Sequence, residues 1–136
     1  MTMLCTSENL RLVDALCRTD LVSFIQKAFH TLSPSSILQM NYHIWALAYH
    51  LELVQRGEIR RLIINCPPRA LKSLVTSVAF PAFVLHHDPS KRFIVVSYGS
   101  DLAIKLSNDF RMIMNAAWYQ GLSPLTQNFK HKEYRI

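Results

Sequence analysis

The sequence predicts an α/β fold, a partial parallel sheet preceded by two helices. Apolar residues recur at helical spacing through the first 56 positions. Two short, β-branched runs follow, Arg60–Asn65 and Arg92–Tyr98, and each leads into a further helical stretch. Helix, helix, strand, helix, strand, helix is the order of a parallel unit whose strands are buried on both faces.

The first helix is expected over residues 8–30. Ser7 can cap it, and Leu10, Val13, Leu16, Leu21, Phe24, Ile25 and Phe29 fall at helical spacing, with Asp20 a break or second cap. Thr31 to Ser36 reads as a loop on composition. A second helix is expected from Ile37 to Arg56, with Met40, Ile44, Leu47, Leu51 and Val54 on one face and Gly57 as its stop. Tyr42, Trp45 and Tyr49, also at helical spacing, are expected to pack rather than to stack on bases.

Arg60–Asn65 is then the first strand, Cys66–Ala70 a loop, and Leu71–Val84 a helix that Pro81 should kink or end near Phe80. His86–Ser90 is a turn, Arg92–Tyr98 the second strand, and Gly99 its end. Ser100 or Asp101 caps a helix over 102–115, and Trp118–Pro124 is irregular. Two strands make a small sheet, since a stable parallel one usually has about four or more. The chain therefore reads as the front of a larger domain.

Composition narrows the class. The 136 residues suffice for one core, and half are hydrophobic with 18% charged, which excludes a disordered tail. No stretch reaches the ~18 uninterrupted apolar residues of a membrane span, so no membrane association is expected. Residues 1–9 lack a basic segment followed by an apolar one, and no secretion signal is expected. Cys5, Cys17 and Cys66 are scattered and odd in number, which argues against a disulfide framework or a zinc site and for a cytoplasmic setting. The net charge of +6 suits a polyanionic partner and equally suits an ordinary basic surface. His43 and His50, and the adjacent His86 and His87, have no carboxylate or cysteine company at ligand spacing and read as core or surface residues.

The segment from Arg61 to Ser73 carries the most chemistry. An apolar run stops at Pro67–Pro68, and Lys72–Ser73 opens the next helix. Strand, tight loop, Lys-Ser, helix is the layout of a phosphate-binding loop, in which backbone N–H groups and a lysine answer the negative charge of a nucleotide. The usual pattern is G-x-x-x-x-G-K-S/T, and here Cys66 and Leu71 stand at the two glycine positions. On spacing alone, a plain strand–turn–helix with a surface lysine competes with the phosphate site and is the commoner outcome.

The block Gly57 to Ser73, with its Pro67-Pro68-Arg69-Ala70-Leu71-Lys72-Ser73 core, resembles the Walker A region of tailed-phage terminase large subunits, the ATP-driven DNA-packaging motors. The likeness extends collinearly over about residues 20–128. It includes Asn41-Tyr42-His43-Ile44, Phe80-Pro81-Ala82-Phe83, His87-Asp88-Pro89, Ser97 to Ala103, Trp118-Tyr119 and Leu122 to Asn128. The family typically reads P-P-R-x-G-K-S, and forms with Leu in place of that Gly resemble a subgroup.

The resemblance implies a partial P-loop NTPase sheet of the RecA-like (ASCE) type and a nucleotide-binding set of Arg69, Ala70, Leu71, Lys72, Ser73 and Gln39. Lys72 corresponds to the phosphate lysine, Ser73 to the hydroxyl that ligates Mg²⁺, and Arg69 to the loop arginine. Gln39 lies where such ATPases use a glutamine near the adenine, its alternative being a solvent-facing helix residue. ATP and Mg²⁺ are the implied cofactors. Double-stranded DNA, the terminase small subunit and the portal protein are the partners of the intact family, and the bacterial cytoplasm is the location.

The family continues to a Walker B strand ending in acidic residues, a coupling motif and a nuclease domain, and none of these has a counterpart here. Residues 129–136 no longer resemble it. The organisation expected is a helical segment over 1–36, a partial ATPase domain over 37–128 and a divergent tail over 129–136, with no catalytic residue assigned and no turnover expected. The second expectation, from another class, is a non-catalytic prophage remnant or a basic module that binds nucleic acid or a partner.

Overall fold

The computed structural model describes residues 7–122. Among them are seven α-helices and one π-helical turn. They are α1 (Ser7–Thr19), α2 (Leu21–Leu32), α3 (Tyr42–Gln55), α4 (Lys72–Leu74), the π turn (Val75–Ala79), α5 (Phe80–His87), α6 (Ser100–Asn115) and α7 (Ala117–Leu122).

The expected parallel sheet is absent. No described residue belongs to a β-strand, so the fold is helical, not α/β, and carries no RecA-like sheet. Arg60–Asn65 and Arg92–Tyr98 nevertheless keep the two-residue alternation that suggested strands. Leu62, Ile64 and Cys66 turn toward the core while Arg61, Ile63 and Asn65 face out. Alternation shapes one chain segment, whereas a strand also needs a neighbour whose N–H and C=O groups lie in register. No backbone hydrogen bond joins these two segments. Both instead line a groove of about 400 Å³, with Leu51 and Val54 of α3 and Phe80 and Pro81 of α5 on its walls.

The helices answer more closely to the sequence, with local corrections. Asp20 divides the expected helix 8–30 into α1 and α2, its carboxylate accepting the Ser23 amide at 2.7 Å as an N-cap. The Asp14–Lys27 ion pair (2.6 Å) then ties α1 to α2. The second helix starts at Tyr42 and not Ile37, because Asn41 is extended and the residues before it are irregular. Pro81 does not end its helix. The π turn lets the Phe80 amide reach back five residues to the Val75 carbonyl, and Pro81, which has no amide to offer, enters one position later. Helical backbone thus runs from Lys72 to His87. Trp118–Leu122, expected to be irregular, lies in α7.

One core runs through these elements. Phe24 of α2 is fully buried and meets Phe83, Trp118 and Tyr119 edge-on at ring-centre distances of 5.4, 5.3 and 6.0 Å. Such pairs add about 0.5–1.5 kcal/mol each to the burial itself. Two long-range hydrogen bonds place α7 on this core. Tyr119 Oη donates to the Ala82 carbonyl at 2.8 Å, and Trp118 Nε1 donates to Thr31 Oγ1 at 2.9 Å. The packing expected of Tyr42, Trp45 and Tyr49 is not found, since all three face solvent from α3. That helix is apolar around most of its circumference, and the core takes only the face of Ile44, Leu47, Ala48 and Leu51. Among the described residues no helix is long and apolar enough to cross a membrane.

Candidate phosphate-binding loop

Pro67 and Pro68 end the first extended segment and hand the chain to a turn with two left-handed residues. Arg69 has φ of 65° and Leu71 φ of 57°, with Ala70 between them outside the left-handed region. Left-handed backbone presses Cβ toward the following carbonyl and costs a non-glycine residue roughly 1–2 kcal/mol. Backbone that alternates in hand also turns successive N–H groups toward one side, the geometry of an anion-binding concavity.

Leu71 therefore adopts the conformation for which the usual pattern reserves a glycine, immediately before Lys72. Leu71 is held there by packing, since its half-buried side chain rests against the core. Cys66, at the other glycine position, has no positive φ, and a side chain is tolerated without backbone strain.

Helical backbone begins at Lys72. The Leu71 carbonyl accepts the Val75 amide at 3.0 Å, which is the first intrahelical bond, and no side chain caps the start. The amides of Lys72, Ser73 and Leu74 are the donors that a helix N-terminus leaves open. Together with the positive end of the helix dipole they favour an anion at this position.

The side chains follow the same logic. Lys72 is half-buried and forms no ion pair among the described residues, while Ser73 and Arg69 are exposed. The hydroxyl of Thr76, one turn on, donates to the Lys72 carbonyl at 2.9 Å and fixes the first turn. Arg69, Ala70, Leu71, Lys72 and Ser73 are thus brought together as one loop and helix start. Gln39 is not joined to them by any hydrogen bond. It is exposed in the irregular stretch before α3, which also corrects its expected place on a helix.

Three further cations emerge that the sequence reading did not single out. Arg60, Arg61 and Arg92 lie on the extended segments and, like Arg69 and Lys72, pair with no carboxylate among the described residues. A signal for Arg60 and Arg61 exists in the sequence, since no Asp or Glu occurs between Glu58 and Asp88. The cations that do find carboxylates are Lys27, Arg56, Lys91 and Lys105, all elsewhere in the chain.

The remaining titratable groups do not gather into a centre. No three His, Cys, Asp or Glu side chains come together among the described residues. His50 Nδ1 lies 2.7 Å from the Ala46 carbonyl within its own helix. Burial pushes the Cys17 thiol up to about 11, which keeps it protonated and unreactive near neutrality. The chain matches no protein-family model, no curated protein and no solved structure.

Proposed function

We propose that residues 66–73 hold the terminal phosphates of ATP together with its Mg²⁺, and that the chain derives from the ATPase part of a tailed-phage terminase large subunit. The observation that carries this reading is the left-handed Leu71 set directly before Lys72, at the start of an uncapped helix. A plain strand–turn–helix has no need of two strained non-glycine residues in one turn. Strain of this kind persists where surrounding packing enforces it, and it concentrates at ligand sites.

The residues fit the group. The amides of Lys72, Ser73 and Leu74 would donate to phosphate oxygens, and the Lys72 ammonium, which pairs with no carboxylate among the described residues, would neutralise their charge. The Ser73 hydroxyl would serve the metal, and Arg69 is placed for a further phosphate contact. Mg²⁺, when bound, would offset the charge of the phosphates. The segment from Ile59 to His87 contains no acidic residue, so the loop supplies none of the carboxylates that metal-dependent hydrolysis requires. The reading is therefore nucleotide binding without turnover, in the cytoplasm of a bacterial host. Double-stranded DNA, the small subunit and the portal protein are partners of the intact family.

A second reading has its own support in Arg60, Arg61, Arg69, Lys72 and Arg92, which pair with no carboxylate among the described residues. It is a basic module that binds nucleic acid without using the loop as a phosphate site. Titration of a fluorescent ATP analogue with Mg²⁺ separates the two. Lys72→Ala should weaken binding at least tenfold with no change in far-UV circular dichroism, and equal binding by both proteins would remove the phosphate-loop assignment. Salt-sensitive DNA binding that Lys72→Ala leaves intact would favour the second reading. Mg²⁺-dependent ATP turnover abolished by Lys72→Ala would overturn the expectation of inactivity.

A further inference from the structure

The helical stretch 72–87 carries the proposed phosphate loop at one end and is anchored in the core at the other. At the core end Phe83 meets Phe24 edge-on at 5.4 Å, and the Ala82 carbonyl accepts the Tyr119 hydroxyl at 2.8 Å. Between the ends lies the π turn Val75–Ala79, where the Phe80 amide donates to the Val75 carbonyl five residues back. Turns of this kind are rare and gather at functional sites.

We infer that Pro81 is a positioning residue for the phosphate loop: it holds the π turn in place, and the turn aims Lys72 and the open amides of the helix start. The inference rests on the phosphate-loop reading above. A π turn takes up one residue more than an α turn, and each residue of an α-helix turns the chain by about 100° and advances it by about 1.5 Å. With α5 fixed by the core, that extra residue sets the direction in which everything before it faces.

Pro81 stands where the register changes. Phe80 reaches back five residues to Val75, whereas at the end of α5 the Asp88 amide reaches back four, to Val84. Pro81 is the one residue of the stretch without an amide to assign to either register. In an uninterrupted α-helix its ring would meet the carbonyl of Ser77, four residues back, and leave that carbonyl without its amide. The wider turn offsets the two and relieves the clash.

The side chains show what depends on this register. Leu71, whose left-handed backbone begins the helix, packs on the core, and a shift of one residue would swing it away together with Lys72. Val75, Val78 and Ala79 are fully buried. Ser77 is only half-buried, and its hydroxyl lies 3.4 Å from that of its neighbour Thr76. Ser77 is therefore the residue of the turn that the core can spare.

Variants of the full chain test the inference by titration with a fluorescent ATP analogue and Mg²⁺, by thermal unfolding and by backbone NMR. Pro81→Ala supplies an amide and removes the ring, so NMR contacts between Val75 and Phe80 should give way to the four-residue spacing of an α-helix. Its affinity should fall about tenfold, the loss of a well-directed ammonium–phosphate contact, while the unfolding midpoint holds or rises. Pro81→Ala with Ser77 deleted makes the Val75–Phe80 bond an ordinary α bond without turning Lys72, and should return affinity to the wild-type value. Deletion of Ser77 with Pro81 in place should lower the midpoint, because the ring then meets the Thr76 carbonyl. Persistence of the five-residue spacing in Pro81→Ala, wild-type affinity in that variant, or a loss that deletion of Ser77 does not restore would each overturn the inference. In those cases a tenfold loss in Lys72→Ala would leave the loop reading standing. Wild-type affinity in Lys72→Ala would instead remove that reading, and the positioning role of Pro81 with it.

Discussion

At Arg69 two demands on one residue point in opposite directions. Its backbone is left-handed, where a Cβ is unfavourable, and its side chain is exposed with no ion-pair partner among the described residues. Folding alone would be better served by glycine, and phosphate binding by arginine. Arg69→Gly should therefore raise the midpoint of thermal unfolding by a few degrees, corresponding to about 1 kcal/mol. It should at the same time weaken binding of the ATP analogue several-fold. The two effects are read on one sample by differential scanning calorimetry and by fluorescence titration. A change that raised both stability and affinity would show that the arginine serves no ligand. Leu71 does not give so clean a comparison, because its side chain also packs on the core and replacement by glycine would remove that contact. The sequence displayed both residue types but not their dihedral angles. Leu71 looked like a defect in a glycine pattern, whereas its backbone performs the glycine's turn. The hand of a turn is decided by what anchors it on both sides, here the Pro67–Pro68 entry and the helix that begins at Lys72.

Among the elements, helices were legible because their signal is local. A hydrophobic face every three or four residues and a capping carboxylate at Asp20 are written within a dozen positions. What the helices did not disclose is which apolar residues the core would take. Tyr42, Trp45 and Tyr49 share helical spacing with buried residues of α3, and only the neighbouring elements decide that they face solvent. The extended segments were legible as alternation and illegible as sheet, because a ladder depends on a second chain segment brought into register. The same limit hid α7. Its six residues have little helical signal of their own, and Trp118 and Tyr119 hold it in place by reaching Thr31 and Ala82. That attachment has a measurable weight. Tyr119→Phe keeps the fully buried ring and removes only the hydroxyl that donates to the Ala82 carbonyl. It should lower stability by about 0.5–1.5 kcal/mol in urea unfolding without changing the dependence on denaturant concentration. A neutral result would mean that ring burial alone positions α7.

For the molecule as a whole, acid sensitivity follows from a single buried ring. His86 at the end of α5 is nine-tenths buried, and its Nδ1 has no hydrogen-bond partner. Burial, then the neighbouring His87 and Arg18 of α1, hold its pKa down at about 4, against an ordinary 6.5. Tyr119 of α7 lies on its other side, with ring centres 6.4 Å apart, and offers no charge. The folded chain thus keeps His86 neutral, while the unfolded chain takes up a proton near pH 6.5. Between those values the unfolded state binds more protons, so stability must fall as the pH falls. The contribution is fully present above about pH 6.5, declines between 6.5 and 4, and has no further slope from this group below 4. Because α1, α5 and α7 all border the ring, its protonation loosens the packing that joins the two ends of the described chain. Thermal unfolding should accordingly shift to lower temperature on going from pH 7.5 to pH 5. In His86→Leu the shift over the same interval should shrink markedly, because the apolar replacement has no proton to gain. A variant that kept the full wild-type shift would assign the acid sensitivity to other groups. The proposed phosphate loop provides the internal control. It lies at the opposite end of the helical stretch Lys72–His87 from this ring, and nucleotide affinity measured on protein that is still folded at pH 6 should change equally in wild type and His86→Leu.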